Sequence, residues 1–236
     1  MKRPVVTRIL PRTLGIAAVL FAAVQATSES LAQASKPPVV SLKPFIQTGV
    51  WQLDITWTAK DAYDDEDWSA KLELTATARF ILLQSDRRDD WGAWHSEAVQ
   101  SGNLVLSGVL VHKSDHSRTE YRQDPSRKPE GGVLFDIGGA TPGYQLTVNV
   151  AYPAKLTNPL LGTVDTVVNL QTTNILDSPP VFCTGPLPAS GKAIHGSLVI
   201  PWETAPFVSP FPRAKVAIQY VLQPLTDLAP LVPPKR

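Results

Sequence analysis

The chain has 236 residues, of which 22 are lysine or arginine and 21 are aspartate or glutamate, so its formal charge at pH 7 is only +1. This balance does not suggest the basic surface that nucleic-acid binding requires, and no nucleic-acid partner is predicted. The single cysteine, Cys183, excludes an intramolecular disulfide, and its apolar neighbours favour a buried thiol.

The N-terminus has the pattern of a secretory signal peptide. Four basic residues precede the apolar run Leu14–Val24, and small residues follow up to Ala34. The run is too short to span a bilayer comfortably, so we expect residues 1–34 to be removed after Ala34, with cleavage after Ala26 as the alternative. The protein is then predicted to be exported to the periplasm or the cell exterior. The mature chain has a formal charge of −2 and no second apolar run that could form a transmembrane span.

Two segments then alternate strictly between apolar and polar residues, one from Trp51 to Thr58 and one from Trp68 to Phe80. A period of two places one row of side chains on a core and the other in water, so both segments are predicted to be strands. The apolar rows include Trp51, Trp57 and Trp68, which are predicted to lie in the core. The second strand is long enough that a bend or bulge is expected within it.

Further strands are predicted at roughly 91–100, 104–113, 118–122, 133–137, 144–152, 164–172, 193–200 and 213–223. Gly102 and Asn103 are predicted to form a two-residue hairpin loop, because glycine at the first position suits a type II′ turn. Many short strands with glycine and proline between them predict an all-β fold, an antiparallel β-sandwich.

The domain organisation leaves two possibilities. Residues 35–224 form one compound sandwich, or they form two smaller β domains divided near 123–132. The Pro-rich tail 225–236 is predicted to be disordered.

The loop between the first two strands is strongly acidic. Asp61, Asp64, Asp65 and Asp67 would repel one another unless a cation lies near. Carboxylate oxygens are the ligands that Ca²⁺ prefers, although the glycine that an EF-hand needs at its sixth position is missing here. One hypothesis is therefore a Ca²⁺ site at this hairpin tip, and the simpler one is a hydrated turn without metal.

The histidines suggest a different metal site. If Gly102 and Asn103 close a hairpin, His95 and His112 lie diagonally across it, with Glu97 on the same face. Two histidines and a carboxylate can bind zinc or non-haem iron, which would make the protein a metalloenzyme. The alternative is a set of hydrated surface side chains, since a register slip of one residue changes the face.

Trp91 and Trp94 follow a charged turn near the start of a predicted strand. Their opposite parity sends them to opposite faces, so at least one of them could be exposed for ligand binding by stacking. A packed aromatic at the end of a sandwich is the alternative, because tryptophan is usually highly buried.

The chain contains no phosphate-binding loop, nucleophile elbow or His-Glu-x-x-His motif, so no catalytic residue and no cofactor beyond a possible Ca²⁺ is predicted. The first functional hypothesis is an exported, non-catalytic binding or structural module of the bacterial cell envelope or exterior. Its partner would be an envelope protein or a glycan. The second hypothesis is a calcium-assisted carbohydrate- or peptide-binding module, and the third is the metalloenzyme described above.

Overall fold

The computed structural model describes residues 40–138, 142–172, 183–188, 192–201, 211 and 214–225. The predicted signal peptide and nearly all of the predicted tail lie outside the described residues. The described residues belong to one compact unit, Val40–Arg236.

The fold is antiparallel and almost entirely β, which confirms the predicted class. The elements are α1 Lys43–Ile46, β1 Val50–Asp64, β2 Trp68–Arg87, β3 Trp91–Ser96, β4 Ser101–His112, β5 Arg118–Gln123, β6 Glu130–Gly138, β7 Gly143–Asn158, β8 Gly162–Gln171, β9 Cys183–Pro186, β10 Ile194–Pro201 and β11 Lys215–Pro224. Each predicted strand overlaps one of these. Among the strands only β9 was not predicted, because the segment around it is rich in proline.

The alternating rows of β1 and β2 explain the hairpin at the centre of the fold. Trp51 and Trp57 are completely buried, and the β2 residues on the same face are buried from Ala70 to Leu82. Trp68 is an exception to the prediction, since 37% of it is exposed. It begins β2 at the hairpin tip, beyond the last buried residue of its row, and packs on His112 with ring centroids 4.4 Å apart.

The length of β2 determines how the rest of the sheet is arranged. One edge of β2 pairs with β1, and the other pairs first with β4 and then with β3, which lie end to end. A register shift between Gln84 and Asp86 marks the expected irregularity. Because β3 and β4 lie one after the other, they do not form a hairpin. The predicted Gly102–Asn103 turn is therefore wrong, and both residues lie within β4.

The strand β7 repeats this arrangement. Along one of its edges lie β6 and β5, and along the other lie β8 and β9. The strands that precede and follow the segment 123–132 thus pair with the same strand of a single 11-stranded sheet.

The inner faces of distant strands pack together and form the core, as in a sandwich. The Trp51 ring on β1 meets Phe135 on β6 edge-to-face at 5.4 Å, and Trp57 meets Tyr152 on β7 at 6.2 Å. Such aromatic contacts bury large apolar areas and favour this crossed geometry. Cys183 is buried in the same core, as predicted.

The only helix among the described residues is the single turn α1, and none of the described helical structure has the length and apolar character that crossing a membrane requires.

Candidate functional site

Two large concave surfaces occur among the described residues, both formed by outward-facing side chains. The first, the polar groove, has a volume of about 790 Å³ and lies across β10, β11, β1 and β2. The second, the Trp91 trough, has a volume of about 670 Å³ and lies across β3, β6, β7 and β9. The trough is lined by Trp91, Asp136, Gly138, Pro142, Gly143, Tyr144, Gln145, Thr184, Gly185 and Pro186.

Strand register builds the trough from two parallel rows. In the first row Trp91 lies opposite Gly138, which lies opposite Gly143, which lies opposite Pro186. The two central glycines leave a floor of bare backbone between a tryptophan on one side and a proline on the other. Side chains two positions apart on a strand share a face, so the next row faces the same space.

That second row supplies polar groups. Asp136 lies opposite Gln145 on β7, and Gln145 lies opposite Thr184 on β9. The trough therefore combines an aromatic ring with a carboxylate, an amide and a hydroxyl group. These are the groups with which binding sites hold polar ligands in place.

Gly138 allows Trp91 to occupy its position. A Cβ atom at Gly138 would lie 2.6 Å from Cδ1 of the indole, closer than non-bonded carbons approach. The absence of a side chain thus lets the Trp91 ring lie across the neighbouring strand. The Trp91 side chain is half-buried there and keeps part of its surface in solvent.

Arg88, in the turn before β3, already places a cation on this ring. Its guanidinium carbon lies 5.4 Å from the ring centroid, and its backbone N–H donates to the Trp91 carbonyl at 2.8 Å. The same guanidinium lies 3.8 Å from the carboxylate of Asp86, and its side chain is 70% exposed. A guanidinium over an indole is a favourable cation–π contact of about 0.5–1 kcal/mol at such an exposed position.

Asp136 is the most unusual polar group of the trough. Its side chain is half-buried, and the carboxylate makes no hydrogen bond or ion pair with any residue that the structure describes. Removal from water without a compensating partner disfavours the charged form, so burial raises the pKa of Asp136. The exposed side chains of Gln145 and Thr184 likewise have no hydrogen-bond partner among the described residues.

The polar groove has a different chemistry, because its charges neutralise one another. The Asp54 carboxylate accepts hydrogen bonds from Nε of Arg79 at 2.6 Å and from the amide of Gln52 at 2.7 Å. His195 lies in the same cross-strand row, two strands away from Asp54. Such a surface has the alternating polar character of the hydrated face of an antiparallel sheet.

Of the two tryptophans predicted as ligand-binding residues, only Trp91 reaches a concave surface. Trp94 is completely buried, and its indole N–H donates to the carbonyl of Thr48 at 2.8 Å. Its ring packs against Phe135 in the core at 5.4 Å. Trp94 therefore offers a ligand no surface, because its parity on β3 directs it inward.

The structure does not bring together the three residues of the predicted zinc or iron site. His95 lies opposite Leu83 near one end of β2, and His112 lies opposite Trp68 at the other end. The two histidines are separated by nearly the whole of β2, about 50 Å at the usual rise per residue. Glu97 is exposed just after β3, on the side of His95.

His112 has a local partner instead. Its Nδ1 lies 3.0 Å from a carboxylate oxygen of Asp115 in the turn that follows β4. Hydrogen bonds from the backbone N–H and the hydroxyl of Ser117, together with His112, lower the pKa of Asp115 to about 2. These hydrogen bonds stabilise an exposed turn at the end of the sheet.

The four aspartates of the predicted calcium site are divided between strand and turn. Asp61 lies within β1, where one of its carboxylate oxygens is buried without a hydrogen-bond partner among the described residues. Asp65 accepts backbone hydrogen bonds from Asp67 at 3.1 Å and Trp68 at 2.8 Å, which closes the turn.

The cation nearest to this acidic turn belongs to the chain itself. Nζ of Lys113 lies 2.9 Å from the Asp64 carboxylate, and it lowers the pKa of that group through a hydrogen bond and its charge. The backbone N–H of Lys113 also donates to the carbonyl of Asp67 at 2.8 Å. No group of three or more potential metal ligands converges within the described ranges.

Comparison with known proteins gives no assignment. No family model matches the chain, and neither characterised proteins nor solved structures gave a match.

Sequence reasoning found Trp91 but missed Asp136, Gly138, Gln145 and Thr184. A sequence signal exists for Asp136, since it is the one charged residue in the otherwise apolar stretch VLFDIGG. The four residues come from three strands, and only the register of those strands places them next to Trp91.

Proposed function

We propose that this protein is an exported ligand-binding module, and that the Trp91 trough is its binding site. The observation that carries this proposal is Asp136, a half-buried carboxylate beside an aromatic ring that has no partner among the described residues. Partial burial of an unpaired carboxylate costs free energy, which a bound ligand can offset by donating hydrogen bonds.

The other lining groups support binding by contact. The indole ring offers a surface for stacking, and Gln145 and Thr184 offer donors and acceptors at the opposite side. Glycine backbone forms the floor, which allows a ligand to approach the sheet closely. A volume of about 670 Å³ accommodates a sugar ring or the side chain of a peptide.

The signal-peptide pattern of residues 1–34 supports a location outside the cytoplasm, where glycans and envelope proteins are the available partners. Within this proposal the trough, rather than the polar groove, is the site, because the Asp54 carboxylate in the groove already has partners from its own chain.

Two tryptophan variants test the location of the site. Isothermal titration calorimetry with a panel of neutral sugars and small amines is expected to detect at least one ligand of the wild-type protein. Trp91→Ala should weaken the binding of that ligand by about fivefold or more, since stacking on an aromatic ring contributes about 1 kcal/mol or more.

Trp68→Ala is the matched control, because Trp68 is also a partly exposed tryptophan but lies at the far end of β2. It should leave the affinity unchanged. Equal affinities of the wild-type and Trp91→Ala proteins would place the site elsewhere.

A further inference from the structure

We propose that the Trp91 trough recognises a cation, namely a protonated amine that lies against the Trp91 ring and pairs with the Asp136 carboxylate. This inference rests on the proposed binding function and specifies the chemical class of the ligand.

The charge of the trough favours a cation. Asp136 is the one described lining residue that carries a charge at neutral pH. The end of β2 and the turn before Trp91 add three acidic residues, Asp86, Asp89 and Asp90, against two arginines. An anionic ligand would meet net repulsion at this site, whereas a cation would be attracted.

The aromatic side of the trough is already suited to a positive charge. The guanidinium of Arg88 lies over the Trp91 ring at 5.4 Å, so the ring contacts a cation even without a ligand. Arg88 is 70% exposed and lies 3.8 Å from Asp86, so it can turn toward that carboxylate at little cost when a ligand enters. A second cation more fully withdrawn from water would gain more from the same ring.

The carboxylate side lacks a cation of its own. The Asp54 carboxylate of the polar groove lies against Arg79, and Asp64 of the acidic turn lies against Lys113. No described lysine, arginine or histidine occupies the equivalent place at Asp136. An ammonium group would supply both the charge and the hydrogen-bond donors that this half-buried carboxylate lacks.

Gln145 and Thr184 indicate what surrounds the amine. They lie in the same row as Asp136 and bear a free amide and a free hydroxyl within the described structure. Both groups suit the hydroxyls of an amino sugar and the peptide groups that flank a lysine side chain. The shared chemistry is the ammonium group, and the two sources are distinguished by experiment.

Matched pairs of ligands test the inference by calorimetry. The first pair is glucosamine, protonated at pH 6, and its neutral counterpart N-acetylglucosamine. The second pair is Nα-acetyl-lysine methylamide and the same compound acetylated on Nε. We expect the charged member of at least one pair to bind about tenfold more tightly than the neutral member. The pair with the tighter charged member identifies the source of the amine.

Asp136→Asn should abolish the preference for the charged member, while leaving the neutral member at its wild-type affinity. Asp54→Asn is the control and should retain the preference, because Asp54 lies in the polar groove. Equal binding of charged and neutral members to the wild-type protein would overturn the cation inference and leave the binding function intact. Failure of all four compounds would overturn the cation inference alone if another compound of the panel still binds through Trp91. Failure of the whole panel would overturn both.

Discussion

The polar groove and the Trp91 trough are formed by outward-facing side chains of the same sheet, and each contains one aspartate in a very different environment. Asp54 in the groove receives hydrogen bonds from Arg79 and Gln52. Asp136 in the trough receives none from the described residues, although it is half-buried. A carboxylate with partners from its own chain supports the fold, whereas an unpaired one costs stability until something binds. The comparison thus separates a structural charge from one available to a ligand.

The strands of both surfaces also place a glycine opposite an aromatic ring, but the rings differ in burial. Gly196 lies opposite Tyr220 on the inner face of the strands that form the groove, and Gly138 lies opposite Trp91 in the trough. Tyr220 is 4% exposed, and its hydroxyl lies 2.9 Å from that of Tyr144 in the core. Trp91 is half-buried and keeps part of its surface in solvent. A new side chain should therefore be tolerated in the trough far better than in the groove.

The largest expected loss of stability is that caused by Gly196→Ala. The new Cβ would lie 2.1 Å from the Tyr220 ring, and displacing this ring would cost the hydrogen bond between the Tyr220 and Tyr144 hydroxyls. Overpacking of this kind should lower the free energy of unfolding by about 3 kcal/mol. Urea denaturation, followed by far-ultraviolet circular dichroism, measures the change.

Gly138→Ala is the paired measurement. Its Cβ would also clash, at 2.6 Å, but with a ring that can rotate toward solvent. A loss of about 1 kcal/mol is expected, together with weaker ligand binding because the indole is displaced. Equal losses for the two variants would show that Trp91 is held as rigidly as Tyr220.

The contrast between groove and trough could be predicted from the sequence only in part. Strict alternation in residues 51–58 and 68–80 predicted the central hairpin and its buried face correctly, because the period of two directly reflects strand geometry. Alternation says nothing about where a buried row ends. Trp68 continues the apolar row of β2, yet it lies beyond the last residue that the opposing layer covers.

Long-range pairing was the part that local patterns could not supply. The Gly102–Asn103 sequence suits a tight turn, but the edge of β2 is long enough for β4 and β3 to pair one after the other. Many more contacts are gained by pairing with β2 than by closing a short hairpin, so tertiary structure overrides the local signal. The position of Asp136 beside Trp91 depends on the same long-range pairing, which is why the trough was only half predicted.

A smaller change in Tm, opposite in sign at the two surfaces, is expected when each aspartate is replaced by asparagine. Burial raises the pKa of Asp136 in the folded protein above its ordinary value of 3.8, so the folded state binds that proton more tightly than the unfolded chain does. The folded state therefore loses stability as the pH rises from the ordinary pKa through the raised one, and this loss of stability is present at pH 7. Asp136→Asn removes the charge and should raise Tm at pH 7 by about one to three degrees.

Asp54→Asn should instead lower Tm at pH 7 by about one or two degrees, because it weakens the contacts with Arg79 and Gln52. Differential scanning calorimetry at pH 7 and near pH 3 measures both variants. The Asp136→Asn increase should disappear near pH 3, where the carboxyl is protonated in both states. A decrease in Tm for Asp136→Asn at pH 7 would mean that Asp136 has a stabilising partner within the chain.

The smallest change in Tm is expected at the acidic turn. As in the polar groove, a basic side chain of the same protein lies against the aspartate there. Lys113 lowers the pKa of Asp64, so this contact stabilises the fold at neutral pH and is lost as the pH falls through the lowered value. Both partners are exposed to solvent, and Lys113→Met should lower Tm by only about one degree.

Measuring Tm with and without calcium tests whether Lys113 already neutralises the acidic turn or whether the turn needs a metal ion. If the ammonium of Lys113 satisfies the carboxylates, millimolar calcium should leave the wild-type Tm unchanged, because only a ligand that binds the folded state raises it. Lys113→Met removes that ammonium and leaves Asp64 beside Asp65 and Asp67, so calcium should raise the Tm of this variant. A calcium-dependent rise in the wild-type protein would show that the metal displaces Lys113 from Asp64. The acidic turn would then belong with the Trp91 trough, as a place where a carboxylate takes its partner from outside the chain.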